Sequence, residues 1–433
     1  MFSGRIKVRK KRRQTLSEFY KDKGESPQKR DFGHFLYFCH RVISYTQTQH
    51  PYSATNVAPD THQSIPNMKK TTNIVLTGGP CAGKTSALAI ISQYFSNQGF
   101  AVYTLPDAAT LFNRGGVNIL TDNKTLFFES KKQLLSFQLH IEECFRKLAE
   151  KADKPAIIVY DRGAMDIAAH MNGDTWQALL DEMGLNEVEV RDSHYDAVLH
   201  LCTAAQGAEQ LYTCDNNSIR TENIEQAIDL DDKILRAWTG HPHLRVIPNN
   251  GSFEEKLNAV IAEISGVLGI PEPIEMERKF LVEVTGEIPD SREMEIFQTY
   301  LTERDGAEPR IRKRGENGHY IYFLTTKKFL ADNQRIEVER QITPSEYVML
   351  KGSANPDKRT IHKLRRCFVW DNRYWELDTF VEPSLPHHLL EIEDVAADEE
   401  IAFPPFVKVI REVTDDPEWY NANIAKRHKQ YDN

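Results

Sequence analysis

Asn73-Ile74-Val75-Leu76-Thr77-Gly78-Gly79-Pro80-Cys81-Ala82-Gly83-Lys84-Thr85-Ser86 decides the fold of the N-terminal half of this chain. Ile74, Val75 and Leu76 read as a strand buried on both faces, and the residues that follow match GxxxxGK[ST]. Glycines at those positions let successive backbone N–H groups turn inward around phosphate oxygens, and the next helix offers its positive N-terminus to the same charge. Gly78, Gly79, Pro80, Cys81, Ala82, Gly83, Lys84, Thr85 and Ser86 are therefore the nucleotide-binding candidates. Lys84 has the reach for β- and γ-phosphates, and the Thr85 hydroxyl is a Mg²⁺ ligand of the usual kind. A bare glycine-rich turn is the bland alternative, and the strand before it and helix after it disfavour that.

Outward from this loop the texture alternates. Thr85–Phe95 is helical, with Leu88, Ile91 and Phe95 on one face; Phe100–Leu105 is a second strand; Leu126–Lys151 is a long helix; Ala156–Tyr160 is a third, buried strand. Strands alternating with helices predict an α/β domain with a parallel sheet. Asp161 ends the third strand where a Walker-B carboxylate would hold Mg²⁺. Arg162 has two readings, contact with phosphate or pairing with Asp161 or Asp166. The arrangement is similar to the nucleoside- and nucleotide-kinase branch of P-loop proteins, in which a lid supplies an arginine; Arg220 is the candidate, with a surface arginine as the alternative. No Asn-Lys-x-Asp motif occurs, so spacing does not separate GTP from ATP.

Past a Gly/Pro-rich link, Gly266 to Pro273, the pattern changes to short strands broken by turns such as Asp305-Gly306 and Glu316-Asn317-Gly318, which predicts an antiparallel β domain. It opens on ExExK: Glu275, Glu277 and Lys279 share one face of a strand. The same spacing recurs in Arg310, Arg312 and Arg314, Glu337 and Glu339, Lys363 and Arg365, Glu376 and Asp378, and Glu391 and Glu393, with Lys327 and Lys328 between these groups. Turned inward in a closed barrel, such strands line a tunnel whose bases bind polyphosphate and whose carboxylates hold divalent metal. Turned outward, they are solvated strand faces, and alternation alone does not choose.

The whole chain carries 54 Lys+Arg against 63 Asp+Glu, but residues 1–72 hold 14 basic and 5 acidic residues, and the remainder 40 and 58. A basic, polar arm (1–72), mostly disordered by composition, precedes an acidic body. Its Lys7-Val8-Arg9-Lys10-Lys11-Arg12-Arg13 has three readings: nuclear import, attachment to anionic lipid, or a solvated tail. No apolar run reaches the length of a spanning helix, six scattered cysteines suit a reducing compartment, and no nucleic-acid partner is expected. The boundaries expected are 73–265 for the P-loop domain, 266–272 for the link, 273–427 for the barrel and 428–433 for a tail. His241-Pro242-His243 has a base- or metal-touching reading beside that of a structural turn, and Trp370, Trp375 and Trp419 read as packing residues.

From ExExK through to Arg411-Glu412-Val413-Thr414-Asp415-Asp416-Pro417-Glu418-Trp419-Tyr420-Asn421, residues 273–427 resemble the CYTH or triphosphate-tunnel family. That resemblance implies an eight-stranded antiparallel barrel, metal on Glu275 and Glu277, and a phosphate or headgroup grip by Lys279, Arg310 and Arg312. It extends to Lys327, Lys363 and Arg365 as bases and to Glu337, Glu339, Glu391 and Glu393 as acids, Glu391 and Glu393 as metal ligands. Arg411 stands where a lysine is common. The P-loop half, including Tyr160-Asp161-Arg162-Gly163-Ala164-Met165-Asp166, resembles the AAA-type ATPases that include the ribosylnicotinamide kinase domain. The order of the two halves, with Arg236-Ala237-Trp238-Thr239-Gly240-His241 between them, is similar to the TRPL translocation defect family of insects and its animal relatives. This implies GTP and Mg²⁺ as cofactors and phosphatidic acid and phosphoinositides as partners. It also implies a cytoplasmic, peripherally membrane-associated protein that helps move the TRPL channel between photoreceptor membrane compartments. The enzymatic alternative is a metal-dependent triphosphatase or a nucleoside/nucleotide-kinase-like phosphotransferase.

Overall fold

The computed structural model describes residues 71–208, 223–270, 277–303, 307–329, 335–393, 395 and 399–426, with 307–308, 327–329 and 335–338 described by backbone alone. The basic run Lys7–Arg13, Arg220 and Glu275 lie outside the described residues, as do the side chains of Lys327, Lys328 and Glu337. Among the described residues no helix is long and apolar enough to cross a membrane.

The first half runs β1 (Thr71–Thr77), α1 (Lys84–Asn97), β2 (Ala101–Leu105), α2 (Ala108–Arg114), α3 (Lys124–Ala149), β3 (Ala156–Asp161), α4 (Met165–Ala168), α5 (Gly173–Met183), α6 (Glu187–Asp192), β4 (Ala197–Leu201), α7 (Ile224–Trp238), β5 (Leu244–Ile247) and α8 (Phe253–Leu268). Its five strands are parallel in the order β2-β3-β1-β4-β5. Every residue of β1 is buried, as the apolar run Ile74–Leu76 required. Strand β1 starts at Thr71, two residues before the expected boundary, because Thr71 and Thr72 pair with Ala156 and Ile157. Helix α8 continues into the expected link to Leu268, where Gly269 ends it in the left-handed region. The register Leu76 with Asp161 brings the carboxyl ends of β1 and β3 together beside the P-loop, the edge where open α/β sheets bind ligands.

The second half runs β6 (Glu277–Val284), β7 (Arg292–Tyr300), β8 (Ala307–Glu316), β9 (His319–Phe329), β10 (Arg335–Ile342), α9 (Pro344–Lys351), β11 (Ile361–Trp370), β12 (Arg373–Glu382), β13 (His388–Glu393), β14 (Val407–Glu412) and α10 (Asn421–Ile424). It forms one antiparallel sheet in the order β10-β9-β8-β7-β11-β12-β13-β6-β14. Among the described residues that is nine strands where the resemblance implied eight, because the chain after β13 returns to add β14 along the second edge of β6.

The charged faces turn inward. Asp378 is 0% exposed, Arg314 2%, Lys363 and Glu391 3% and Arg365 7%, which decides the question the alternation left open. The opposite face carries an apolar layer, with Phe280, Val282, Leu377, Leu390 and Ile392 under Phe406 and Val407. At one end the inward face itself becomes apolar, where Leu281, Tyr300, Ile361, Phe380 and Leu389 pack with Val413 and Ala425.

The two halves pack as one compact unit. Val188 of α6 joins Ile321 and Phe323 of β9 in a small apolar cluster. Arg191, fully buried, donates to Asp192 at 2.6 and 2.8 Å and to Glu316 of β8 at 2.9 Å. Arg314 donates to the Gly240 carbonyl at 2.8 Å, and the Tyr374 hydroxyl donates to that of His241 at 3.3 Å. Removing one member of a buried ion pair strands the other without water, at a cost of about 3–5 kcal/mol. Arg191→Met is therefore expected to lower the urea midpoint by an amount equivalent to about 3–5 kcal/mol, and adding Asp192→Asn to restore most of it. A midpoint that Arg191→Met leaves unmoved would show that this ion pair does not carry the junction.

Candidate functional site

At the P-loop, Gly78 has φ 130°, and a Cβ there would stand 2.0 Å from the Leu201 carbonyl oxygen, so only glycine fits. Two carboxylates clamp the loop from behind. Asp231 of α7 accepts from the backbone N–H groups of Gly79 and Thr203. Asp166 accepts from the Thr77 hydroxyl, Gly163 N–H (2.9 Å) and Trp238 Nε1 (3.1 Å). The Arg162 guanidinium donates to Asp166 at 3.1 Å and lies 3.9 Å from Asp107.

The ligand side of the loop is less fully paired. Lys84 Nζ folds back onto the carbonyls of Gly78 (2.7 Å) and Gly79 (2.9 Å), and burial, reinforced by Arg162, pulls its pKa down to about 7. The buried Oδ1 of Asp161 has no hydrogen-bond partner, and burial raises its carboxyl pKa against the pull of Lys84. Thr85 is exposed in the first turn of α1, which contains no acidic residue to offset its positive end. An orphaned carboxylate oxygen on the same edge as a free hydroxyl fits a hard divalent cation, and the Lys84 amine with the open helix end fits phosphate. Gly83 and Cys81 hold the loop in left-handed conformations, with φ 90° and 56°.

In the curled sheet, Lys279 bridges Glu277 (2.8 Å) and Glu391 (3.0 Å). Arg365 donates to Asp378 (2.7 Å), to Glu391 (2.5 Å) and to Glu376, and Lys363 pairs with Asp378. Arg312 meets Glu339 at 2.7 Å, and Thr325 donates to the same carboxylate. Burial works against the Glu391 carboxylate, but Lys279 and Arg365 outweigh it and hold the group far below the ordinary range. Arg310 adds its positive charge beside Arg312. Glu277 and Glu393 are register partners on β6 and β13, next to the pair Lys279 and Glu391, so three of the carboxylates expected to hold metal are neighbours in the sheet, with the Lys279 amine between two of them. Arg411 stands apart, half exposed and bonded to Asp416 at 2.8 Å.

Both halves are similar to known proteins. Residues 73–256 match the family described as AAA domain. An inorganic triphosphatase of Nitrosomonas europaea is 33% identical over 155 residues, which are 35% of this chain and 96% of that protein. The chain belongs to the inorganic triphosphatase family. An inorganic triphosphatase of Acetivibrio thermocellus is 28% identical over 158 residues, 35% of this chain and 93% of that protein. Among solved structures, that of the inorganic triphosphatase NE1496 is 29% identical, covers 36% of this chain and 95% of its own, and has a TM-score of 0.28. Triphosphatase membership thus rests on about a third of the chain, and the AAA match supports nucleotide binding by another part.

Sequence reasoning missed Asp231 and Lys131, and both had a signal: each is a charged residue within the buried stripe of a helix. Asp231 shares its stripe with Ala227, Ile234 and Trp238, and Lys131 lies with Leu134, Leu135 and Gln138. His200, Cys202 and Asp231 also converge behind the P-loop, with potential ligand atoms within 4.8 Å of one another. They come from β4, its end and α7, so no spacing motif announces them. Lys131 is 0% exposed, its Nζ has no hydrogen-bond partner, and burial pulls its pKa down to about 8. An amine lowered from 10.5 in the unfolded chain to about 8 costs stability below pH 8, and the cost disappears as pH rises through 10.5. Lys131→Met is expected to stabilise the protein at pH 7 by about 2–3 kcal/mol and to gain little at pH 10.5. Thermal unfolding of both forms at the two pH values checks this, and an equal gain at both would refute the buried-charge account.

Proposed function

We propose that the curled sheet is a metal-dependent triphosphatase site and that the P-loop half binds a nucleoside triphosphate. The observation that carries this is the set of buried Lys363 and Arg365 and half-buried Lys279, Arg310 and Arg312, interleaved with Glu277, Glu391 and Glu393, in a chain that covers nearly all of an inorganic triphosphatase. Guanidinium and ammonium groups held at fixed spacing match the repeating oxygens of a linear polyphosphate. A divalent cation bound at the three carboxylates would neutralise charge building up on the phosphate being transferred. The protein's own part is to hold the chain of phosphates straight, through bases whose rotamers are fixed by the carboxylates beside them, and to present the terminal phosphate to water. The bond broken joins the terminal phosphorus to its bridging oxygen, water supplies the new oxygen, and the products are orthophosphate and pyrophosphate.

The GTP-binding regulator expected from the sequence takes second place. Its support is chemical: bases that grip triphosphate also suit the phosphomonoester of phosphatidic acid or a phosphoinositide, and the basic arm suits an anionic membrane surface. In that reading the protein is cytoplasmic and peripherally membrane-bound, holds GTP at Lys84 and serves TRPL trafficking, with Lys7–Arg13 assisting attachment or nuclear import. The inward direction of the bases favours a free, extended anion over a headgroup that must stay at a bilayer.

Two measurements separate the readings. The full chain with Mg²⁺ or Mn²⁺ is expected to release orthophosphate from tripolyphosphate, and Arg312→Ala to lower kcat/KM by about 10- to 100-fold through loss of a charge-assisted contact. Pelleting with vesicles containing phosphatidic acid is expected to show little binding by the Arg312 site. Strong vesicle binding lost in Arg312→Ala, with no phosphate released by either form, would reverse the order of the two readings.

A further inference from the structure

Three side chains of metal-ligating type converge behind the P-loop, and the function proposed above leaves their convergence unused. His200 is on β4, Cys202 directly follows that strand, and Asp231 is in α7. Their exposures are 0%, 5% and 3%, so all three are sealed from bulk water. A ring nitrogen, the sulfur and a carboxylate oxygen, one from each, lie within 4.8 Å of one another. Neither ring nitrogen of His200 makes a hydrogen bond, although Nε2 comes to 3.3 Å from Asp231 Oδ1. A buried polar group without a hydrogen bond costs about 1–3 kcal/mol, and a bound ion is one of the few arrangements that account for it.

The donor set suits a borderline-soft cation. An imidazole, a thiolate and a carboxylate together carry two negative charges, which Zn²⁺ cancels, and a set with nitrogen and sulfur fits zinc better than Mg²⁺. Ligand atoms bonded to one tetrahedral zinc ion stand about 3.3–3.6 Å apart. His200 and Asp231 already have that separation, and no other in the set exceeds it by more than about 1 Å. Asp231 can take a metal without releasing the loop. Its Oδ1 accepts from the Gly79 N–H and its Oδ2 from the Thr203 N–H, and each oxygen keeps a second lone pair. The Cys202 thiol donates to Asn372 Oδ1 at 3.8 Å, a weak bond that an S–Zn bond replaces, with the proton passing to water. Burial pushes that thiol up to about 12, so the free thiol is a poor nucleophile. The Lys256 amine is engaged elsewhere, on the Cys202 carbonyl at 2.6 Å and Asn249 Oδ1 at 2.7 Å.

We propose that His200, Cys202 and Asp231 hold a zinc ion behind the P-loop, with water or the Asn372 side-chain oxygen in the fourth position. The site is structural: it ties β4 to α7 and, through the Asp231 bond to Gly79, fixes the floor of the nucleotide site. It stands apart from the triphosphatase reading of the sheet and holds or falls without it.

The test is titration of the full reduced chain with Co²⁺, a spectroscopic stand-in for zinc, read by the near-ultraviolet thiolate-to-cobalt charge-transfer band. Carboxylates elsewhere in the chain give no such band. The exposed Cys144, whose Sγ lies 3.7 Å from His140 Nε2, is the competing thiol, so Cys144→Ser serves as the control. Wild type and Cys144→Ser are expected to show the band, to saturate it at a single ion per chain and to lose it when Zn²⁺ is added. Cys202→Ser is expected to lack it, and His200→Gln to weaken cobalt uptake about tenfold or more, since even outer partners of a metal are worth that much. A band that vanishes in Cys144→Ser and persists in Cys202→Ser would overturn the inference. So would a folded wild type that shows no band, which leaves a metal-free His200–Asp231 pair and decides the matter whether or not the variants fold.

Discussion

A charged side chain removed from water costs several kcal/mol unless it is paired in good geometry, and the inward face of the curled sheet buries six of them: Arg314, Lys363, Arg365, Glu376, Asp378 and Glu391. Much of the second half follows from meeting that constraint. Arg365 is held by three carboxylates from β12 and β13, so these strands can sit only in the register that puts Glu376, Asp378 and Glu391 around one guanidinium. Slipping any strand by one residue would turn its charges into the apolar layer formed by Phe280, Leu377, Leu390 and Ile392 on the other face. Charge pairing and apolar burial therefore specify the same register, which makes the arrangement unique as well as stable.

The P-loop half treats its charges differently. The carboxylates behind the loop, Asp166 and Asp231, are each bonded to donors and act as structural clamps. In front of the loop the pairing is incomplete: Asp161 keeps an unpartnered oxygen, and Lys84 is satisfied only by carbonyls that carry no full charge. Such a site is strained electrostatically until a ligand brings the missing opposite charge, whereas the charges on the sheet are neutralised by one another. The two charged clusters of one chain thus differ in kind, one with unmet charge and the other a lattice of charges already paired.

How much of this was legible in the sequence depended on the range of each interaction. The P-loop was readable in full because strand, loop and helix are contiguous and each glycine has a local reason. Asp161 was readable from the end of an apolar run. The direction of the charged faces was not, because a period of two is the same whichever face points in; packing breaks that symmetry, through contacts such as Arg314 with Gly240 and Val188 with Phe323 that join residues far apart in sequence. Asp231 and Lys131 were written into helical stripes as charges in apolar positions, a sign that could have been used. The convergence of His200, Cys202 and Asp231 carried no such sign, since residues from separate elements meet only through the fold.

The Gly/Pro-rich link marks the change from helix-strand alternation to antiparallel strands, and the halves on either side of it pack on each other. Helix α7 has Asp231 and Trp238 on the P-loop side, bonded to the loop and to Asp166, and leads within a few residues to the Gly240 and His241 carbonyls that receive Arg314 and Tyr374 from the sheet. Arg191 adds a fully buried guanidinium whose partners come from both halves. Parting the halves at residues 266–272 would take Glu316 from Arg191 and the Gly240 carbonyl from Arg314, and would expose Val188, Ile321 and Phe323. Flexible composition in a link shows only that the chain can turn there. Whether the parts on either side stand alone is decided by what each leaves unpaired, and here each half holds the counter-charges of the other.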